Sequence, residues 1–177
     1  MTRRICEKLE PPRDKVDHVI AEWAKERPDL ETAPVAIVAR VGRLQIFLDA
    51  ALARVFDRYD ITRADFDVLA ALRRSGAPYR LPQKLLMRAL MRTSGTTSFR
   101  VDRLERAGLV RRDPDPEDAR GAFVRLTRKG ERLFNAVAPE HLANEEEMLG
   151  ALSAAEREAL ASLLRKLLLT FESRDRA

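Results

Sequence analysis

The chain has 177 residues, 45% of them hydrophobic and 34% charged, with seven glycines and nine prolines. That length suits one domain, or one domain with an extension, and the composition excludes a loop-rich or disordered chain. The net charge of +5 is unevenly spread, because residues 80–132 hold 14 Lys/Arg against 7 Asp/Glu while the rest of the chain holds 19 against 21. A basic middle third favours a polyanionic partner, with a solvated basic face that binds nothing as the alternative.

One cysteine, Cys6, excludes an intrachain disulfide. No run of about 18 apolar residues occurs, and the first residues lack a signal peptide's apolar core, so a soluble, cytoplasmic protein is expected. His18 and His141 lie far apart in the chain. Asp65 and Asp67 are two positions apart and point to different faces of a helix. With no glycine-rich phosphate loop or paired-carboxylate motif, an enzyme is disfavoured, and no cofactor or metal is expected.

In chain order, residues 1–12 read as a disordered tail. Residues 13–33 read as an added short helix and a linker. Val16, Val19 or Ile20, and Trp23 line one face of that helix, and Pro28 ends it. A helix this short must dock on the body or on a second subunit, with Trp23 as its anchor. Residues 34–60 form a long helix that is apolar on more than one face, which makes it central or buried in a dimer. Residues 61–132 read as a DNA-binding lobe. Thr62 caps a helix with Asp65 in a capping box, a short strand lies near Leu81, and Pro82 opens a brief helix. A tight break then leads into residues 92–108.

That stretch, RTSGTTSFRVDRLERAG, reads as a helix closed by Gly108. Val101 and Leu104 form its inner stripe. Ser94, Thr96, Thr97 and Ser98 stand at its front, with Arg100, Arg103 and Arg106 on the other faces. Short hydroxyls and guanidinium groups on a helix suit phosphates and base edges in a DNA major groove. Two short helices joined by a tight turn make a helix-turn-helix. Residues 109–112 and 122–126 have strand composition and flank a turn-rich connection, forming a wing with Arg120 at its tip and Gly121 beside it. Residues 133–177 read as C-terminal dimerisation helices. Pro139 should break or kink the first, and Ser153 with Glu156 caps the second, whose leucines are too many for one contact. The fold class expected is mostly α with a small β-wing: a dimeric winged helix-turn-helix.

This order of elements resembles the MarR family of dimeric winged-helix regulators. The resemblance covers about residues 34–172. It rests on FDVLAALR from Phe66, SGTT from Ser94, RLERAGLV from Arg103, DPDPEDARG from Asp113, and Leu126-Thr127 with Gly130. DPDPEDARG contains the family's Asp-x-Arg wing signature at Asp118 and Arg120. One departure is Leu81, which stands where the family has a threonine cap, so the helix that follows should fray slightly. The N-terminal helix resembles the extension of the urate-responsive subgroup, of the HucR, PecS and MftR type. That resemblance implies an anionic-ligand pocket at Trp23, Asp67, Arg100 and Arg112. An aromatic face stacks on a flat ligand and arginines neutralise an anion. Asp67 would pair with an arginine in the free protein, although a purely structural ion pair accounts equally for Asp67 and Arg112. The resemblance implies a repressor that binds a pseudo-palindromic operator through Ser94, Thr96, Thr97, Ser98, Arg100, Arg103 and Arg120. A small anionic effector would release it. The alternatives are a constitutive DNA-binding protein, and a thiol sensor using Cys6.

Overall fold

The structure, a computed structural model, describes residues 12–90, 94–115 and 121–174, excluding the side chains of residues 94–97. Helices α1 (Lys15–Glu26), α2 (Val35–Asp57) and α3 (Arg63–Arg74) come first. Strand β1 (Arg80–Pro82), helix α4 (Gln83–Ala89) and helix α5 (Ser94–Arg106) follow. Strands β2 (Val110–Pro114) and β3 (Ala122–Leu126) and helices α6 (Arg128–Met148) and α7 (Ala154–Arg174) complete the chain. The fold divides into two units, residues 1–49 and 50–177.

In the first unit, Asp14 caps α1, accepting from the backbone N–H groups of Val16 and Asp17, and Asp17 reciprocates at the Asp14 N–H. Arg40 of α2 then forks onto both carboxylates, with Nε 2.8 Å from Asp14 and Nη2 2.7 Å from Asp17. Val16 is buried, whereas Trp23 is 45% exposed. Within this chain the clip holding α1 on α2 is therefore Val16 with Arg40, and Trp23, expected to anchor the helix on the body or on a second subunit, keeps much of its ring open. The periodic apolar positions located the helix but not the arginine on another helix that fastens it.

In the second unit one core gathers the end of α2, α3, α4, α5, the sheet and α6. Phe56, Val68, Leu69, Leu72, Leu86, Val101, Val124 and Val137 are almost wholly buried in it. Phe66 stacks on Phe134 at 5.5 Å and lies 5.2 Å from Phe56, with His141 edge-on at 4.9 Å. The sheet is antiparallel in the order β1-β3-β2. Its register places Leu81 opposite Val124 and Val110 opposite Leu126. Alternation then turns Val110, Val124 and Leu126 inward.

Helix α6 runs unbroken through Pro139, so of the break or kink expected there the break does not occur. Proline removes one intrahelical hydrogen bond, but Val137 and Phe134 before it and His141 after it are held by the core. Packing on both sides outweighs the lost bond. Thr127 caps α6 by accepting from Gly130 N–H at 3.1 Å and donates to the Gly108 carbonyl at 2.7 Å. Ser153 and Glu156 form the expected reciprocal cap on α7. Arg157 fixes the turn between α6 and α7, donating to the Leu149 and Leu152 carbonyls and pairing with Glu146.

Candidate nucleic-acid interface

Helix α4 starts at Gln83 behind Pro82, which makes no side-chain cap bond. The capless start expected from Leu81 is therefore present. Helix α5 ends where Gly108, at φ +70°, turns the chain left-handed. Gly108 N–H donates to the Glu105 carbonyl and Leu109 N–H to the Leu104 carbonyl, the paired bonds of a Schellman ending. Leu104 and Leu109 are both buried and close the motif. This ending launches β2 directly from the helix, so wing and helix are joined by a single turn.

Three polar contacts orient α5. Gln83 Nε2 on α4 donates to Ser98 Oγ at 3.3 Å. Arg103 reaches back to α3, where Nε donates to Asp65 Oδ1 at 3.2 Å and Nη2 meets Oδ2. Asp65 is wholly buried, and it also accepts from the Thr62 N–H at 2.7 Å within the α3 cap. A carboxylate out of water requires a partner charge, and Arg103 supplies it. Arg112, on β2, is the third. Its Nη1 lies 2.5 Å from Glu105, its Nη2 2.5 Å from Asp102, and its backbone N–H donates to Glu105. Burial works against the Arg112 charge, but the hydrogen bonds that it donates to Asp102 and Glu105 outweigh it and hold the guanidinium's pKa above the ordinary arginine value.

Two expectations are corrected here. Arg103 was read as a groove-facing residue, yet its guanidinium is turned to Asp65 and Thr62. For Arg112 the resemblance implies an anionic-ligand contact with a structural ion pair as the alternative, and the geometry matches the ion pair, since Asp102 and Glu105 neutralise it and it clamps the wing to α5. The ion pair expected at Asp67 lies instead at Asp65, two positions earlier. Asp67 is half-buried, and among the described residues its side chain has no hydrogen bond or ion pair. Arg100 is half-buried and likewise has no carboxylate partner among the described residues. The side chains of Ser94, Thr96 and Thr97 lie outside the described residues, as do Asp118, Arg120 and Cys6. Gly121 is described, and its carbonyl accepts from Asp115 N–H.

The sheet adds a feature not recognised from the sequence. Arg80, Arg125 and Arg111 are register partners across all three strands, so they form one row on the outer face. Asp113 binds two of them, lying 3.0 Å from Arg111 and 3.3 Å from Arg125. Arg80 stacks over Phe123 at 4.7 Å. Period-two alternation within each strand was legible, but the row depends on a register that only pairing defines.

A short helix, a second helix exposing a basic face, and a β-ribbon springing from its end define a winged helix-turn-helix, a DNA-binding architecture. Comparison with known proteins specifies the class further. The MarR family model matches residues 59–121. The regulator PecS of Dickeya dadantii is 39% identical over 150 residues, covering 85% of this chain and 90% of PecS. The chain belongs to the MarR family of transcriptional regulators. Among solved structures, a mutant MarR from Escherichia coli complexed with operator DNA matches with a TM-score of 0.70 at 27% identity, over 77% of this chain and 96% of that one. BpsR of Bordetella bronchiseptica, whose structure concerns regulation of its DNA binding by 6-hydroxynicotinic acid, matches with a TM-score of 0.61 at 29% identity. That match covers 72% of this chain and 98% of BpsR.

Proposed function

We propose that this regulator acts as a homodimeric repressor that a small anionic ligand releases from DNA. The observation carrying the dimer is α7. It is 21 residues long and has no buried residue, although Leu160, Leu163, Leu164, Leu167, Leu168 and Phe171 are spread along it, 40–63% exposed. Burying a leucine fully stabilises by about 1.5–3 kcal/mol, so a second copy covering this helix is strongly favoured. The first half of α2 leaves Ile37, Val38, Leu44 and Phe47 open in the same way. A two-fold dimer would present two α5 helices to successive major grooves and read half-sites about 10 bp apart. Arg120 then serves the wing's contact with the backbone or minor groove.

The ligand reading is supported by groups left without partners. Arg100 and Asp67 are uncommitted among the described residues, and Trp23 offers a half-exposed ring. An arginine neutralises a carboxylate or urate-like anion, and an indole stacks on a planar one. BpsR, with its hydroxynicotinic acid, supplies a precedent within the same fold. To act, the anion must favour the DNA-incompetent arrangement, and each 1.4 kcal/mol of differential affinity shifts DNA binding about tenfold.

The test is a titration of urate and of 6-hydroxynicotinate into a complex with DNA selected by the protein itself, using the native chain and Trp23→Ala. Release of the native protein at lower anion concentration than the variant is expected. Equal release removes Trp23 from the pocket, and no release of the native protein by either anion contradicts control by such ligands.

A further inference from the structure

We propose that Phe99 is a specificity-determining residue that recognises thymine through its 5-methyl group. The inference rests on the DNA-binding reading of α5 and adds the chemistry of one contact. Val101 and Leu104 of α5 are buried in the core. Ser98 is tied to Gln83 and Glu105 to Arg112, and these residues mark the inward side of the helix. With 3.6 residues per turn, position 99 lies about 160° from Val101 and about 140° from Leu104 around the axis. Phe99 therefore occupies the outermost line of the helix, and it is 66% exposed.

Among the described residues nothing uses this ring. Phe99 is absent from the core cluster, and among the described residues it has no aromatic or cationic partner. Arg103, one turn further along α5, is turned to Asp65 and does not cover it. Exposing a phenyl group on the most basic segment of the chain has no stabilising role in the free protein. A phenyl group cannot pair with a phosphate and offers no hydrogen bond to a base edge. The apolar group that a major groove presents is the thymine methyl. The surrounding surplus of Lys/Arg in residues 80–132 brings a polyanion to this face, and the ring then reads a property that the guanidinium groups cannot.

The experiment begins with duplexes selected from a random-sequence pool by the native protein. Each thymidine of the selected site is then replaced singly by deoxyuridine, which keeps the hydrogen-bonding edge and removes only the methyl group. Affinities of the native protein, Phe99→Ala and Phe99→Leu are measured by fluorescence anisotropy at one salt concentration, with circular dichroism confirming that each variant folds. At one symmetry-related pair of positions, deoxyuridine should weaken native binding about fourfold, the worth of one buried methyl-sized group. The same replacement should leave Phe99→Ala unaffected, with Phe99→Leu in between. Uniform indifference of the native protein to deoxyuridine overturns the proposal, as does full sensitivity persisting in Phe99→Ala. Retained sensitivity would mean that a residue other than Phe99 reads the methyl group. If the native protein selects no duplex at all, the DNA-binding reading itself fails, and the two failures remain distinguishable.

Discussion

Arg103 projects from the recognition helix but gives its charge to a carboxylate that water does not reach. Removing one partner of such a pair leaves the other buried and unpaired, at a cost of about 3–5 kcal/mol. Thr62 retains part of the solvation of Asp65, so Arg103→Ala should lower stability by about 3 kcal/mol, read as a shift in urea midpoint. Unchanged stability with lost DNA binding would return Arg103 to the groove. Gly130 is a second position where one atom decides. A Cβ there would stand 2.0 Å from the Leu109 carbonyl oxygen, at the junction of wing and α6. Gly130→Ala should cost about 2–3 kcal/mol by overpacking, measurable by thermal unfolding, and a neutral substitution would mean that the wing base yields freely. Residues of this kind were only half legible. Gly130 and Arg103 were recognised within motifs, but the sequence does not say which carboxylate an arginine will meet. Asp65 and Asp67 differ by two positions, and the helix phase set by Phe66 and Leu69 decides that Asp65 faces inward.

At the scale of elements, α1 illustrates how a helix too short to stand alone is retained. Arg40 donates to Asp17, and the backbone N–H of Asp14 adds to this, so the Asp17 pKa falls below its ordinary 3.8. Burial pushes the Asp14 carboxyl upward, but bonds from Arg40 and two backbone N–H groups outweigh it and lower its pKa too. Depressed carboxylate pKa values mean that the clip contributes above pH 3.8 and is lost as pH falls through the still lower folded values. Hydrogen exchange of α1 amides should therefore accelerate beyond its intrinsic pH dependence below about pH 3.8. Arg40→Gln should show that loss of protection already at neutral pH. Protection that is indifferent to Arg40 would place the anchor elsewhere. The periodicity of the helices from α2 to α7 made these elements readable because each carries apolar surface to bury. Helix α6 defied its proline because packing at Phe134, Val137 and His141 outweighs one missing bond, and local propensity contains no term for that.

The whole molecule combines a basic segment with several strongly apolar helices. Charge concentration in residues 80–132, the Schellman ending of α5 and the clamp of Arg112 onto Asp102 and Glu105 all serve to present one helix and one ribbon together. Their class was legible in the sequence, since helix, turn, helix and wing follow in order at short spacing. Whether two such lobes face DNA together depends on surfaces that a single chain leaves open. Leu164→Glu with Leu168→Glu should convert a dimer to a monomer by sedimentation, with the circular dichroism of the winged lobe retained. Persistence of the dimer would move the interface off α7. Ligand residues were the least legible, because a pocket depends on elements that sequence spacing does not bring together. The most direct test of the central claim is hydroxyl-radical footprinting of the native protein on a duplex that it selects. Two protected patches related by two-fold symmetry, centred about one helical turn apart, are predicted. A single patch, or protection without symmetry, would contradict a dimer that reads two grooves through α5.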